Sequence, residues 1–207
     1  MRAYIYTGGA IDPARITEHP KGEDLVIAAD SGWHNAKALG ESPSLLLGDF
    51  DSIGGDKLPD GVEIFQVPAE KDLTDTQLAV DLALSRGARD IVIVGGLSGR
   101  LDHTLSNLAI LERLYAMHVH CVITDGKNRA RFVRNGSLLI GRSAYRYLSL
   151  IAADPVVKGV EIDGVKYPLK KATLRREQQY AVSNELTGNC AFIAVKKGGL
   201  FVIESAE

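Results

Sequence analysis

The chain has 207 residues with 24 basic against 26 acidic side chains, so it lacks the positive field that gathers nucleic acid. Apolar residues make up 45% and charged residues 24%, ordinary values for a length that forms one large domain or two small ones. Cys121 and Cys190 match no metal-finger spacing, no apolar stretch approaches the ~20 residues that span a bilayer, and the opening run meets Gly8-Gly9 too soon for a secretory leader. A cytoplasmic protein with neither nucleic acid nor membrane as partner is expected.

The first predicted strand, residues 4–7, runs into Gly8-Gly9, and the second, 25–29, ends at Asp30-Ser31-Gly32, where a helix over 32–39 begins. A third strand, 45–47, leads to Gly48-Asp49-Phe50-Asp51-Ser52. Asp49 and Asp51 stand two apart in extended chain, so their carboxylates share a side and Phe50 takes the other. Such a pair suits magnesium; the plainer alternative is a turn in which each aspartate bonds backbone amides.

After a strand at 63–67 comes Lys71-Asp72-Leu73-Thr74-Asp75 and a helix over 75–86. Thr74 and Gln77 have capping-box spacing, which sets Asp75 in the first helical turn. Asp72 and Asp75 then lean toward one ligand, with Lys71 to meet a phosphate, unless the acids only offset the helix dipole.

The fifth strand, 91–94, opens into Gly95-Gly96-Leu97-Ser98-Gly99-Arg100-Leu101-Asp102-His103 and a helix over 101–117. Leu101, Leu105, Leu108, Leu111 and Tyr115 form its apolar stripe. A glycine-rich turn bearing Arg100 at a helix start makes an anion site. It is not the dinucleotide fingerprint, because Val94 takes the first glycine's place, and Gly126-Lys127-Asn128 is not a Walker loop. Asp102 with Ser106, and His103 with Asn107, share helical faces; capping by Asp102 and packing by Asn107 is the plainer alternative. A sixth strand covers 119–123.

Strands alternating with helices predict an α/β domain with a parallel sheet, whose ligands sit beyond the strands' carboxyl ends. Acids, glycines and the cations Lys71 and Arg100 recur on that edge. Such an edge predicts magnesium-dependent phosphoryl transfer from a nucleotide.

Past residue 128 the pattern changes. Asn135-Gly136, Asp163-Gly164 and Gly198-Gly199 are turn pairs between runs rich in β-branched and aromatic residues, at 145–151, 156–162, 180–183, 191–195 and 200–203. Short strands with glycine turns predict an antiparallel sandwich or barrel. The expected division is an α/β catalytic domain over 1–126 and an all-β sandwich over 127–207.

Taken in order, Ala29-Asp30-Ser31-Gly32, Gly48-Asp49-Phe50-Asp51-Ser52-Ile53, Lys71-Asp72-Leu73-Thr74-Asp75 and the run from Gly95 to His103 with Asn107 resemble the thiamine pyrophosphokinase family. Val165-Lys166-Tyr167-Pro168-Leu169 and Ser183-Asn184-Glu185 are similar to its bacterial form. The resemblance implies an α/β nucleotide-binding domain and a thiamine-binding β-sandwich, working as a homodimer with sites between subunits. It implies transfer of pyrophosphate from ATP, as co-substrate, to the thiamine hydroxyl, with Mg2+ required. By position, Asp49, Asp51 and Asp75 resemble metal ligands. Asp72, Asp75, Arg100 and Asp102 are the catalytic candidates. Asp30, Gly32, Lys71, Thr74, Gly95, Gly96, Gly99, His103 and Asn107 would line the nucleotide site, and Ser183 and Asn184 would reach thiamine. Ser31 stands where many members have glycine, and Trp33 is the only tryptophan, so the sequence does not say which aromatic meets thiamine.

Overall fold

The computed structural model describes residues 1–48, 61–67 and 72–206, and the chain divides into two compact units, Met1–Gly126 and Lys127–Glu207. The first unit alternates strand and helix: β1 (Arg2–Tyr6), β2 (Leu25–Ala29), α1 (Gly32–Ala38), β3 (Leu45–Gly48), β4 (Glu63–Gln66), α2 (Asp75–Ser85), β5 (Asp90–Val94), α3 (Leu101–Ala116) and β6 (His120–Thr124). These strands pair in the order β4-β3-β2-β1-β5-β6, and neighbouring strands in that order run parallel.

The side-chain period of two sorts the strands onto two faces. Tyr4, Tyr6, Val26, Ala28, Leu46, Val92, Val94 and Val122 cluster on one face with Ala36 of α1, Trp33 and Leu39. The intervening Ile5, Ile27, Leu45, Leu47, Ile91, Ile93 and Ile123 are equally buried. They point the other way, and the buried Ala79, Val80 and Ala83 of α2 and Leu111 and Leu114 of α3 supply the remaining apolar cover. A sheet covered on both faces needs near-continuous apolar strands, which is what residues 3–6, 26–29 and 91–94 provide. α2 opens with the predicted box: Gln77 N–H donates to Thr74 Oγ1 at 3.2 Å, and Thr74 N–H donates to Gln77 Oε1 at 3.0 Å.

The second unit contains β7 (Asn128–Arg134), β8 (Ser137–Gly141), β9 (Tyr147–Ala152), β10 (Val156–Asp163), β11 (Leu169–Arg175), β12 (Cys190–Lys197) and β13 (Gly199–Ser205). They form two antiparallel sets, β7-β13-β9 and β11-β10-β12-β8. Leu148 and Leu150 of the first set and Ile162 and Leu169 of the second line one apolar cavity, so the sets face each other. Asn135-Gly136 and Gly198-Gly199 both carry the chain from one set to the other. Asn135 adopts φ 49, and its side-chain carbonyl accepts from Gly198 N–H at 2.8 Å, which ties the two crossings together.

One predicted run is corrected. Residues 180–183 are not a regular strand, because Ser183 adopts φ 57 and breaks the extended path. The segment is held along β9 instead, by Leu150 N–H to Ala181 carbonyl at 2.8 Å and by paired backbone bonds between Leu148 and Asn184.

Candidate active site

At the carboxyl edge of the parallel sheet, the ladder continues past the strands into the loops. Thr7 N–H donates to the Val94 carbonyl, Gly95 N–H to the Thr124 carbonyl, Gly96 N–H to the Gly8 carbonyl, and Asp30 N–H to the Leu47 carbonyl. The loops after β1 and β5 are thereby stitched together. Glycine is needed at the contact: Gly95 adopts φ 102, and a Cβ there would lie 2.6 Å from the Thr7 carbonyl oxygen. At Gly96, φ 73, a Cβ would run into the Asn107 amide.

Two asparagines hold these turns from the helices. Asn35 of α1 donates its Nδ2 to the carbonyls of Thr7 at 2.7 Å and Gly9 at 2.9 Å. Asn107 of α3, buried, donates its Nδ2 to the Gly96 carbonyl at 3.0 Å. The start of α2 is pinned similarly, since the buried hydroxyls of Thr7 and Thr76 share a hydrogen bond of 2.8 Å.

The result is a cavity of about 320 Å³. Of the residues expected from the sequence, Asp30, Thr74, Asp75, Gly96, Gly99, Arg100, His103 and Asn107 line it. Asp30 reaches it in the left-handed region, at φ 48, which few residues with a side chain adopt and aspartate enters more readily than most. Thr7, Gly8, Gly9, Ala29, Ser31, Thr76 and Ser98 complete the wall and were not among the expected site residues. Gly8-Gly9 was visible as a turn after the first strand, whereas Thr7, Thr76 and Asn35 carry no local signal because their partners lie 26 to 69 residues away.

Other expected residues take different parts. Gly32 is not on the wall; a Cβ there would collide with the Tyr6 carbonyl, so glycine lets α1 start against β1. Gly95 serves the contact between loops. Asp72 is exposed, three residues ahead of Asp75, and off the wall. Asp102 is also off the wall and forms a two-pronged pair with Arg100, Nε to Oδ1 at 3.2 Å and Nη2 to Oδ2 at 2.6 Å. The hydrogen bond from Arg100, with a smaller one from His103 N–H, lowers the Asp102 pKa to about 2. Asp49, Asp51 and Lys71 lie outside the described residues. Ser183 and Asn184 belong to the second unit.

Chemically, the wall offers two carboxylates beside a glycine turn, hydroxyls, and an exposed guanidinium. Among the described residues, no group of three His, Cys, Asp or Glu side chains could hold a metal by itself. Magnesium needs fewer, because it takes one or two carboxylates and completes its shell with phosphate oxygens and water. Asp30 and Asp75 on one cavity fit that requirement.

Residues 17–123 match the family described as thiamin pyrophosphokinase, catalytic domain, and residues 137–200 match thiamin pyrophosphokinase, vitamin B1 binding domain. The chain is 29% identical over 199 residues to the thiamine pyrophosphokinase of Bacillus subtilis, covering 93% of this chain and 92% of that one. It is 27% identical over 177 residues to thiamin pyrophosphokinase 1 of Caenorhabditis elegans, covering 81% and 72%. The crystal structure of the Bacillus subtilis protein superposes with a TM-score of 0.90 at 28% identity over the whole of both chains. That from Geobacillus thermodenitrificans gives 0.84 at 28% identity, covering 100% of this chain and 98% of that one.

Proposed function

The chain belongs to the thiamin pyrophosphokinase family of enzymes, and from that premise we propose that it transfers pyrophosphate from ATP to the hydroxyl of thiamine, yielding thiamine diphosphate and AMP. The carrying observation is the convergence of Asp30, Asp75, Arg100 and the stitched glycine turns on one cavity at the sheet's carboxyl edge. Phosphoryl transfer asks a protein mainly for positioning and charge stabilisation, and this wall supplies both. The glycine turns can approach the triphosphate closely because they lack side chains, and Arg100, still paired with Asp102 through Nε and Nη2, offers its remaining N–H groups to phosphate oxygens.

Asp30 and Asp75 would hold Mg2+, joined by Asp49 and Asp51 as the family resemblance implies. The bound ion supplies neutralisation of the charge that develops on the phosphate oxygens. Asp102 is a poor proton acceptor at a pKa of about 2, which leaves Asp72 as the proposed base for the thiamine hydroxyl. In this reading residues 1–126 handle the nucleotide, residues 127–207 handle thiamine, and the enzyme acts as a cytoplasmic homodimer. No described helix is long and apolar enough to cross a membrane.

The test is incubation of the purified chain with ATP, magnesium and thiamine, followed by quantification of AMP, ADP and thiamine products. Equal amounts of AMP and thiamine diphosphate, formed only with the metal, support the reading. ADP with thiamine monophosphate would replace it by single-phosphoryl transfer.

A further inference from the structure

Gly8 and Gly9 lack side chains for a reason that sets them apart from the glycine beside Arg100. A Cβ on Gly8 would lie 2.4 Å from Ser31 Oγ, and a Cβ on Gly9, which adopts φ 97, would lie 2.9 Å from Ser98 Oγ. Two serine hydroxyls therefore rest on consecutive bare α-carbons, and both serines line the cavity. At Gly99, by contrast, an added Cβ meets nothing within 4 Å, so the turn at Arg100 stands open to a ligand. The two hydroxyls are not equivalent. Ser98 Oγ donates its one proton to the Ala10 carbonyl at 2.9 Å, which leaves only lone pairs for a ligand. Ionised phosphate oxygens also carry only lone pairs, so the group that meets Ser98 must bring a proton of its own. Ser31 precedes α1 but caps none of its amides, because its φ of −58 and ψ of −8 differ from the extended conformation that capping uses. Its hydroxyl stays able to donate or to accept.

Resting on the ATP reading above, we propose that Ser31 and Ser98 bind the sugar of the nucleotide and select ribonucleotides over deoxyribonucleotides. Ser98 accepts from one ribose hydroxyl, and Ser31 pairs with the other. A ribose hydroxyl both donates and accepts, which matches one partner that only accepts and one that does either. The nucleobase fits this stretch less well. Among the described residues, the wall has no valine, leucine, isoleucine or methionine and no ring but that of His103, so it forms no apolar slot for a purine. With the sugar on Gly8-Gly9, the phosphates joined to it fall to the open turn at Gly99 and to Arg100.

The experiment compares ATP, 2′-deoxy-ATP and 3′-deoxy-ATP on the full chain, Ser31→Ala and Ser98→Ala, measuring Kd by calorimetry with magnesium and kcat/KM for thiamine diphosphate formation. In the wild type, removing a sugar hydroxyl is expected to weaken binding by roughly 3- to 10-fold. Ser98→Ala is expected to bring ATP down to the level of one deoxy analogue and leave that analogue where it was, and Ser31→Ala to do the same for the other. Ser98→Ala also removes the bond to the Ala10 carbonyl, and a purely structural loss would lower all three nucleotides by one factor. That uniform loss, or equal binding of all three by the wild type, overturns the sugar site. Should Ser98→Ala fail to fold, Ser31→Ala, which removes no helix cap, carries the test alone. Sugar discrimination in binding without any thiamine diphosphate sinks the proposed reaction and keeps the sugar site. Thiamine diphosphate formed equally well from all three nucleotides sinks the sugar site and keeps the reaction.

Discussion

The two units build cavities from opposite materials. In Met1–Gly126 the wall is largely backbone: glycine turns at strand ends, locked by asparagine amides from two helices, with carboxylates and a guanidinium at the margin. In Lys127–Glu207 the backbone is consumed by antiparallel ladders, and the cavity is made of side chains standing on sheet faces. Close backbone approach suits a triphosphate, and apolar and aromatic side chains suit a ring. The contrast supports the proposed division of the two ligands between the two halves.

The largest effect should come from charge in the first unit. Asp75→Asn is expected to lower turnover by roughly 100-fold, since the charge stabilisation it supports is worth several kcal/mol, with the melting temperature unchanged. Turnover near that of the wild type, measured as AMP release at saturating substrates, would remove Asp75 from the machinery.

Glycine comes next, and here the units can be set against each other. Gly32→Ala pushes a methyl group into the Tyr6 carbonyl and is expected to cost about 3 kcal/mol in denaturant unfolding. Gly141→Ala, in the second unit, meets no atom within 4 Å and is expected to be neutral or stabilising by ~0.5 kcal/mol. Equal costs would show that backbone packing does not distinguish the two halves.

Arg100→Lys keeps the charge but loses the planar fork, so the ATP KM should rise by about tenfold with the thiamine KM unmoved. Smallest of all is the effect of pH on Asp102. Its pKa is depressed to about 2, chiefly by the Arg100 hydrogen bond, so any stabilisation it confers is fully present above the ordinary carboxylate range and is lost progressively from there as pH falls to about 2. Carboxyl NMR should find no Asp102 titration between pH 5 and 9, and Asp102→Asn should leave the shape of the pH–rate profile intact. A profile that loses its acidic limb in that variant would restore Asp102 as a base.

Legibility followed the same division. The six described parallel strands and three α-helices of the first unit could be read from sequence, because the runs at 4–7, 25–29, 45–47 and 91–94 each end in a glycine or an acid that marks where they stop. The Thr74–Gln77 box was readable for the same reason, its partners being three residues apart. Asn35 was not, since its side chain satisfies carbonyls 26 and 28 residues away. Gly32 was read as a ligand contact because a glycine before a helix looks alike whether it admits a phosphate or a neighbouring strand. In the second unit the turn pairs were visible. That two of them carry the chain between sheets, and that left-handed Ser183 ends the 180–183 run, depended on partners far along the chain.

The hydroxyl pair of Thr7 and Thr76 has a further consequence. Two hydroxyls bring two protons to a single bond in which either oxygen can donate, and both residues line the cavity. One proton is therefore always outside that bond, and turning both groups about their C–O bonds exchanges donor and acceptor without moving a heavy atom. The pair thus has two states of opposite polarity that differ only by two hydroxyl torsions.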